Sequence, residues 1–428
     1  MAPSLITPSR AKRKKPTIGF VNLGCSKNQV DSEVMLGTLV AGGFQLTGDA
    51  RAAEVVIINT CGFIEEAKQE SINSIIEHGR LKKSGSCRVL IAAGCLAQRY
   101  QGELLKELPE LDGVVGTGEF GRIADICRSL LAPKARQQRL WLGQPPYLYD
   151  ADTPRIRLGT PHSAYLKIAE GCNRNCAFCA IPIMRGKQRS RPIESIVAEA
   201  RRLVQDGVKE LNLISQDTIN YGVDLGLKQG LTALLRELVT VEGARWIRPF
   251  YLYPQQVTDE LLDLYAGEAR ITKYLDMPLQ HISDGMLKRM RRGHGGARLR
   301  KVVSELRARV PGLTFRTAFI VGHPGETPAT LARSAHASAK GRPPSEARRR
   351  VASRAGWFVA VAPGVGGGGG DVRQGPRRRR HPRPRRRGTR PPHHRSRPSR
   401  RLRCRSAPAG PRDRDARRQR RSEEHTSE

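Results

Sequence analysis

The sequence predicts an α/β protein built from two sheet-based units, and three observations carry that reading. Short apolar runs alternate with stretches of helical period from Thr17 to Val321. Cysteines 25, 61 and 95 each fall just past the end of one such run. A later run, Ala164–Ala169, opens onto a loop with three more cysteines, Cys172, Cys176 and Cys179, spaced C-x3-C-x2-C. The expected organisation is a basic arm (1–15), an open parallel α/β sheet domain (16–132) and a linker (133–160). A partial TIM-like barrel (161–329) and a disordered Arg-rich tail (330–428) follow.

Residues 17–23 (TIGFVNL) read as a short buried strand ending at Gly24-Cys25. A helix is expected from Asp31, with Val34, Leu36, Leu39 and Val40 on its apolar face. Glu54–Ile58 is the second strand and ends in Asn59-Thr60-Cys61-Gly62. The helix after it carries Ile64, Ala67, Ile72, Ile75 and Ile76. Arg88–Ala93 is the third strand, ending at Gly94-Cys95; residues 113–116 are a fourth, and Ile123–Leu131 closes the unit as a helix.

The segment 132–160, rich in Pro and charge, suggests a linker with a strand pair. Five β/α steps then begin at Ala164–Ala169. Their later elements are helix Ile193–Gln205, strand Glu210–Ile214, helix Leu231–Val241 and strand Trp246–Tyr253. Helix Asp259–Tyr265, strand Thr272–Met277, helix Arg298–Arg309 and strand Thr314–Val321 complete them.

Three thiolates on one tight loop can converge on one metal centre. A [4Fe–4S] cube takes one thiolate per iron, so Cys172, Cys176 and Cys179 would leave its fourth iron open for a ligand. That is what the one-electron cleavage of S-adenosylmethionine (SAM) needs. A structural zinc site or metal-free thiols are the blander readings, but zinc wants a fourth ligand and no His or Cys lies close by in sequence. Cys25, Cys61 and Cys95 follow separate strands whose C-terminal ends line one edge of an open sheet, where ligands bind. They could hold a second iron–sulfur site, or simply fill the sheet edge as small buried residues. Cys87 and Cys127 lack this placement and read as structural. At the barrel mouth the polar candidates are Ser215, Gln216, Asp217, Gln280, His281 and Arg316, with His281 equally plausible as a satisfied structural residue.

Composition sets limits. The net charge of +35 is divided unevenly: residues 331–428 hold 29 Lys+Arg against 7 Asp+Glu, a net +22, which leaves +13 for residues 1–330. Nine cysteines without a secretory signal suggest a reducing cytoplasm, and no stretch is apolar enough for a membrane span.

The motifs LGCSKNQVDSE (23–33), NTCGFIEEAKQESI (59–72), AAGCLAQRY (92–100) and GCNRNCAFCAIPIMRGKQRSR (171–191) resemble those of the radical-SAM methylthiotransferases. So do LISQDTINYG (213–222), YLDMPLQHIS (274–283), MLKRMRRG (286–293) and FRTAFIVGHPGET (315–327). The second and sixth are most similar to the RimO type, which acts on small-subunit ribosomal protein S-twelve. The resemblance covers about residues 17–330. It implies an auxiliary [4Fe–4S] cluster on Cys25, Cys61 and Cys95, and a SAM-cleaving [4Fe–4S] cluster on Cys172, Cys176 and Cys179. Phe178, Gln216, Gln280, Val321 and Gly322 are the SAM-contact candidates. It also implies methylthiolation of an aspartate β-carbon, with a reduced flavodoxin or ferredoxin as electron donor. The alternatives are a tRNA adenosine methylthiotransferase and a non-catalytic iron–sulfur, RNA-binding protein.

After Glu326 the pattern stops. Residues 330–421 hold 28 Arg to one Lys, with a glycine run at Gly366–Gly370. The reading of this segment is an out-of-frame translation in place of a last barrel strand and a small β-barrel (TRAM) domain, ending in an adapter-like RSEEHTSE. An RNA-binding arm is the other reading, and it is the weaker one. The expected consequence is an unpaired strand edge at 314–321, and a chain that is poorly soluble or inactive.

Overall fold

The computed structural model describes residues 15–133, 138–144, 146–338 and 356–362. Six parallel strands make the first sheet: β1 (Thr17–Asn22), β2 (Gln45–Leu46), β3 (Val55–Thr60), β4 (Val89–Gly94), β5 (Gly113–Val115) and β6 (Leu140–Trp141). Their order is β2-β1-β3-β4-β5-β6. Every position of β3 and β4 is buried, as a parallel sheet covered on both faces requires. The core beneath includes Ile18, Met35, Leu39, Val55, Ile57, Ile91, Phe120, Ile123 and Cys127.

Three sequence expectations need correction here. The first helix begins at Ser26, not Asp31. Its opening turns carry Lys27, Asn28, Asp31, Ser32 and Glu33, all buried, so a polar face and not an apolar one packs inward and the hydrophobic period is silent there. Val40, expected on the apolar face, is exposed. Among its described residues the segment 133–160 gives one strand instead of a pair: β6 adds in parallel to β5 through Val114↔Leu140 and Val115↔Trp141.

The second unit contains β7 (Ser163–Lys167), β8 (Ala169–Glu170), β9 (Arg189–Ser190), β10 (Glu210–Ile214), β11 (Trp246–Pro249), β12 (Tyr274–Asp276) and β13 (Thr314–Val321). β7, β10 and β11 are parallel neighbours, as are β12 and β13. A single parallel bridge, Ile247↔Ile271, carries the arc from β11 towards β12. β8 and β9 form a short antiparallel pair beside the cysteine loop. Helix Ile193–Gln205 and strands Glu210–Ile214 and Thr314–Val321 fall where the sequence put them. Leu166, Leu211, Leu213, Ile247, Leu275 and Phe315 from the strands meet Ile196, Ala200, Leu234, Leu238 and Leu299 from the helices in one core.

The strand edge at β13 is not bare. β14 (Gly356–Ala362) pairs with it antiparallel from Phe315↔Ala362 to Val321↔Gly356. The run GWFVAVA is an aromatic and β-branched island within the Arg-rich segment, and it has the composition a strand needs. Helix Pro328–Ser338 runs across the expected boundary at residue 330, with proline at its first position. Thr327 caps it: its Oγ1 accepts the Thr330 N–H. The rest of the expected tail, 339–355 and 363–428, lies outside the described residues, as does the basic arm before Lys15.

Candidate functional site

Strand order brings Cys25, Cys61 and Cys95 together. β1, β3 and β4 are consecutive neighbours, and each of these cysteines begins the loop or helix at its strand's C-terminal end. Gly24 and Gly94 adopt φ of +94° and +97° to make these turns. At Gly94 a Cβ would stand 2.3 Å from Asn59 Oδ1, so only glycine fits. Asn28 ties the three loops: its Nδ2 donates to the Leu23 and Thr60 carbonyls (3.0 and 2.9 Å), and its Oδ1 accepts from the Cys95 thiol (3.5 Å). Asn59 and Ser71 brace the same loops, through Asn28 O and the Cys61 N–H. Cys25 is exposed, whereas Cys61 and Cys95 are buried.

Burial pushes the Cys61 thiol up, against a backbone N–H at Phe63 that lowers it. Burial pushes Cys95 up to about 12, opposed by the Arg185 guanidinium. Arg185 Nε donates to Cys95 Sγ at 3.2 Å.

The second triad lies on the loop after β8. The Cys179 N–H bonds to the Cys176 carbonyl (3.1 Å), and the Arg174 N–H donates to Cys172 Sγ (3.4 Å). Arg292 Nη1 donates to Cys176 Sγ at 3.2 Å while its guanidinium stacks 4.2 Å above the Tyr253 ring. Burial pushes Cys172 up to about 12 and also raises Cys179. Such thiols ionise readily only when a metal centre supplies positive charge. No group of three His, Cys, Asp or Glu among the described residues is arranged for a single metal ion. With a cationic donor beside each triad, both sets fit a thiolate-ligated cluster.

The two triads share a buried polar bridge that the sequence reading did not find. Lys167 contacts Asp31 (2.5 Å) and Glu170 (2.8 Å), and Arg185 contacts the same two carboxylates at 2.7 and 3.1 Å. All four side chains are at most 3% exposed. Glu170 is two residues before Cys172, and Arg185 touches Cys95. The bridge therefore runs from one triad to the other. Cys95 also packs with Ala180 and Met184, just beyond Cys179. A second tie is Arg155, whose guanidinium pairs with Glu33 of the first unit and Glu199 of the second. The signal for Asp31 and Glu33 is their four- to eight-residue offset from Cys25–Lys27 at the start of one helix. It is visible only once that helix is known to start at Ser26.

The SAM-contact candidates gather at the barrel mouth to differing degrees. Gln216 donates to Glu170, so it stands beside the Cys172 loop, and its own Oε1 is buried with no partner among the described residues. Gln280 is buried at φ +68°, is joined through its backbone to Ala318 and Ile320 of β13, and also has an unpartnered Oε1. Gly322 adopts φ +77° at the end of β13, next to the half-buried Val321. Phe178 is half-buried on the cysteine loop. His281 has structural partners: its Nδ1 accepts the Ser283 N–H, so its Nε2 carries the proton and donates to Glu326 (3.1 Å). Glu326 in turn accepts the Gly322 N–H, which fixes the glycine loop. Cys87 and Cys127 are buried away from both triads.

An α/β sheet domain followed by a cysteine-loop partial barrel defines a class, and comparison with known proteins gives the same one. Residues 17–116 match the Uncharacterized protein family UPF0004, and residues 166–337 match the Radical SAM superfamily, so the match continues past the last quoted motif. The fold resembles that of the radical S-adenosylmethionine methyltransferase TsrM from Kitasatospora setae (TM-score 0.53, 15% identity, 76% of this chain and 73% of that one). It also resembles the cobalamin-dependent radical enzyme OxsB (TM-score 0.51, 11% identity, 76% and 52%). The chain belongs to the ribosomal protein uS12 methylthiotransferase RimO family. It is 54% identical over 320 residues to RimO of Sorangium cellulosum (73% of this chain, 64% of that protein). It is 48% identical over 313 residues to RimO of Trichlorobacter lovleyi (73% and 69%) and 49% over 315 residues to that of Geotalea uraniireducens (73% and 69%). The chain thus spans about two thirds of these curated relatives' length.

Proposed function

We propose that this chain is a radical-SAM methylthiotransferase that adds a methylthio group to the β-carbon of an aspartate in ribosomal protein uS12. The observation that carries the reading is the pair of cysteine triads, one on three adjacent strand ends and one on a single loop, joined by the Asp31–Lys167–Glu170–Arg185 bridge. Cys172, Cys176 and Cys179 would hold one [4Fe–4S] cluster, with SAM on its open iron. Cys25, Cys61 and Cys95 would hold the other. Bound there, these groups supply one-electron cleavage of SAM, hydrogen abstraction from an unactivated C–H bond, and the sulfur.

The chain's own residues have the remaining tasks. Arg292 and Arg185 donate to a thiolate of each triad and offset its charge. Gln216 and Gln280 offer unpartnered acceptors to SAM's polar groups, and the His281–Glu326–Gly322 chain holds the glycine loop open to them. A buried bridge of two cations and two carboxylates fixes the spacing of the triads without adding net charge between them. No general base is needed, because the hydrogen leaves as an atom. The electron comes from a reduced flavodoxin or ferredoxin. The setting is cytoplasmic; no helix among the described residues is long and apolar enough to cross a membrane.

Anaerobic reconstitution of the full chain tests this. Binding of about eight irons, in two four-iron clusters, and SAM cleavage on reduction are expected. Offered uS12 and tRNA side by side, the protein should add one CH2S mass to uS12; addition to tRNA alone would overturn the proposal.

A further inference from the structure

Lys27 breaks two rules at once. It occupies the second position of helix Ser26–Ala41, where the helix dipole is positive and no acidic side chain lies in the first turn. It is only 8% exposed. Among the described residues its ammonium makes no ion pair or hydrogen bond; it lies over the Tyr251 ring, 3.0 Å from Nζ to the centroid. A mostly buried ammonium with no ion pair or hydrogen bond among the described residues gives up hydration that the Tyr251 ring returns only in part. Tyr251 is itself an outlier, a bulky side chain at φ +60°. Strain of this kind persists where the surroundings impose it, commonly at a ligand site.

The neighbourhood has a surplus of positive charge. Asp276, the nearby carboxylate, is already held by Arg316 at 2.8 Å. Burial raises Asp276, while Arg316 and then Lys27 pull it back down, so both cations act on the same acid. Two cations thus act on one carboxylate, and one of them, Lys27, stands two residues past Cys25. The vacancy in this charge balance is that of one small anion.

We propose that Lys27, seated on Tyr251 beside Cys25, receives the side-chain carboxylate of the acceptor aspartate. The inference rests on the aspartate-modifying reading above. Substitution at the β-carbon leaves the carboxylate untouched, so the acceptor needs a cation that orients it and takes no proton from it. An ammonium does this, and the bound carboxylate restores the missing pairing. An adenine acceptor would leave Lys27 unpaired. Lys27 is thus a specificity-determining residue, whereas Tyr251 is a positioning residue that holds it.

The test is a double-mutant cycle on binding, which needs no turnover. The reconstituted full chain, as wild type, Lys27→Met and Lys27→Arg, is titrated with uS12 and with uS12 whose acceptor Asp is changed to Asn. Wild type should bind the Asp form at least tenfold more tightly than the Asn form. Lys27→Met should bind both alike, at the Asn-form affinity, with iron content unchanged. Lys27→Arg should keep part of the preference. Equal binding of the two uS12 forms by wild type, or an undiminished preference in Lys27→Met, overturns the assignment of Lys27 alone. Failure of wild type to bind either form overturns the uS12 reading itself. If Lys27→Met loses iron, the wild-type and Lys27→Arg comparisons decide the matter.

Discussion

The two cysteine triads are assembled by opposite routes. Cys172, Cys176 and Cys179 lie within eight residues on one loop, so their convergence is local. Cys25, Cys61 and Cys95 are separated by 36 and 34 residues and meet only because β1, β3 and β4 are adjacent in the sheet. The arginine beside each triad differs too. Arg185 is one of four charges that sum to zero, whereas Arg292 makes no ion pair among the described residues and leans on the Tyr253 ring and the Pro278 carbonyl. The loop triad therefore has a free positive charge beside it. The arginine of the strand-end triad gives a hydrogen bond while its charge is cancelled in the bridge.

The sharpest way to separate them is by cysteine deletion. Cys172→Ala should abolish SAM cleavage and halve the iron from about eight to about four per chain. Cys61→Ala should lose the same amount of iron but keep SAM cleavage while losing methylthio transfer. Iron assay and product analysis check both; loss of all eight irons from either variant would mean the triads are not separate.

Next in size is the charge bridge. Arg185→Met leaves Asp31 and Glu170 buried with only Lys167 between them, and should destabilise the protein by about 3–5 kcal/mol in urea denaturation. Arg292→Met breaks no ion pair and should cost less stability. Its effect should be electronic: loss of a hydrogen bond to a charged thiolate, worth about 1.5–3 kcal/mol, should lower the loop cluster's reduction potential in a redox titration, by less than the roughly 60–130 mV of its full worth because the bond is made in both oxidation states. Arg185→Met, tested in the same way, should shift the strand-end cluster less, because the partner carboxylates cancel its charge.

The smallest effect is a pH dependence near the loop triad. Burial, followed by the charges of Arg292 and Arg174, lowers His294 from 6.5 to about 4. The folded protein resists its protonation and the unfolded chain does not. The contribution is therefore complete above pH 6.5 and is lost as pH falls from 6.5 towards 4. With His294 half-buried, about 1–3 kcal/mol is at stake, and His294→Asn should flatten that acid limb of the stability curve.

Much of this architecture was legible in the chain. Apolar runs located the principal strands of both units, and cysteine spacing picked out the two sets of three. Elements whose buried face is polar were less so. The first helix was read five residues late because Lys27, Asn28, Asp31, Ser32 and Glu33 point inward without an apolar period. The bridge residues Glu170 and Arg185 look like ordinary surface charges until a partner unit covers them. β14 was missed because seven strand-forming residues are easily lost among so many arginines.

By itself the sequence determined which cysteines stand at strand ends and which share a loop, since period and turn chemistry are local. Only the tertiary structure decided that β1, β3 and β4 are neighbours, that Asp31 and Lys167 meet across 136 residues, and that Lys27 makes no ion pair among the described residues. Strand order and the burial of charge depend on packing between distant segments, and no local pattern encodes them.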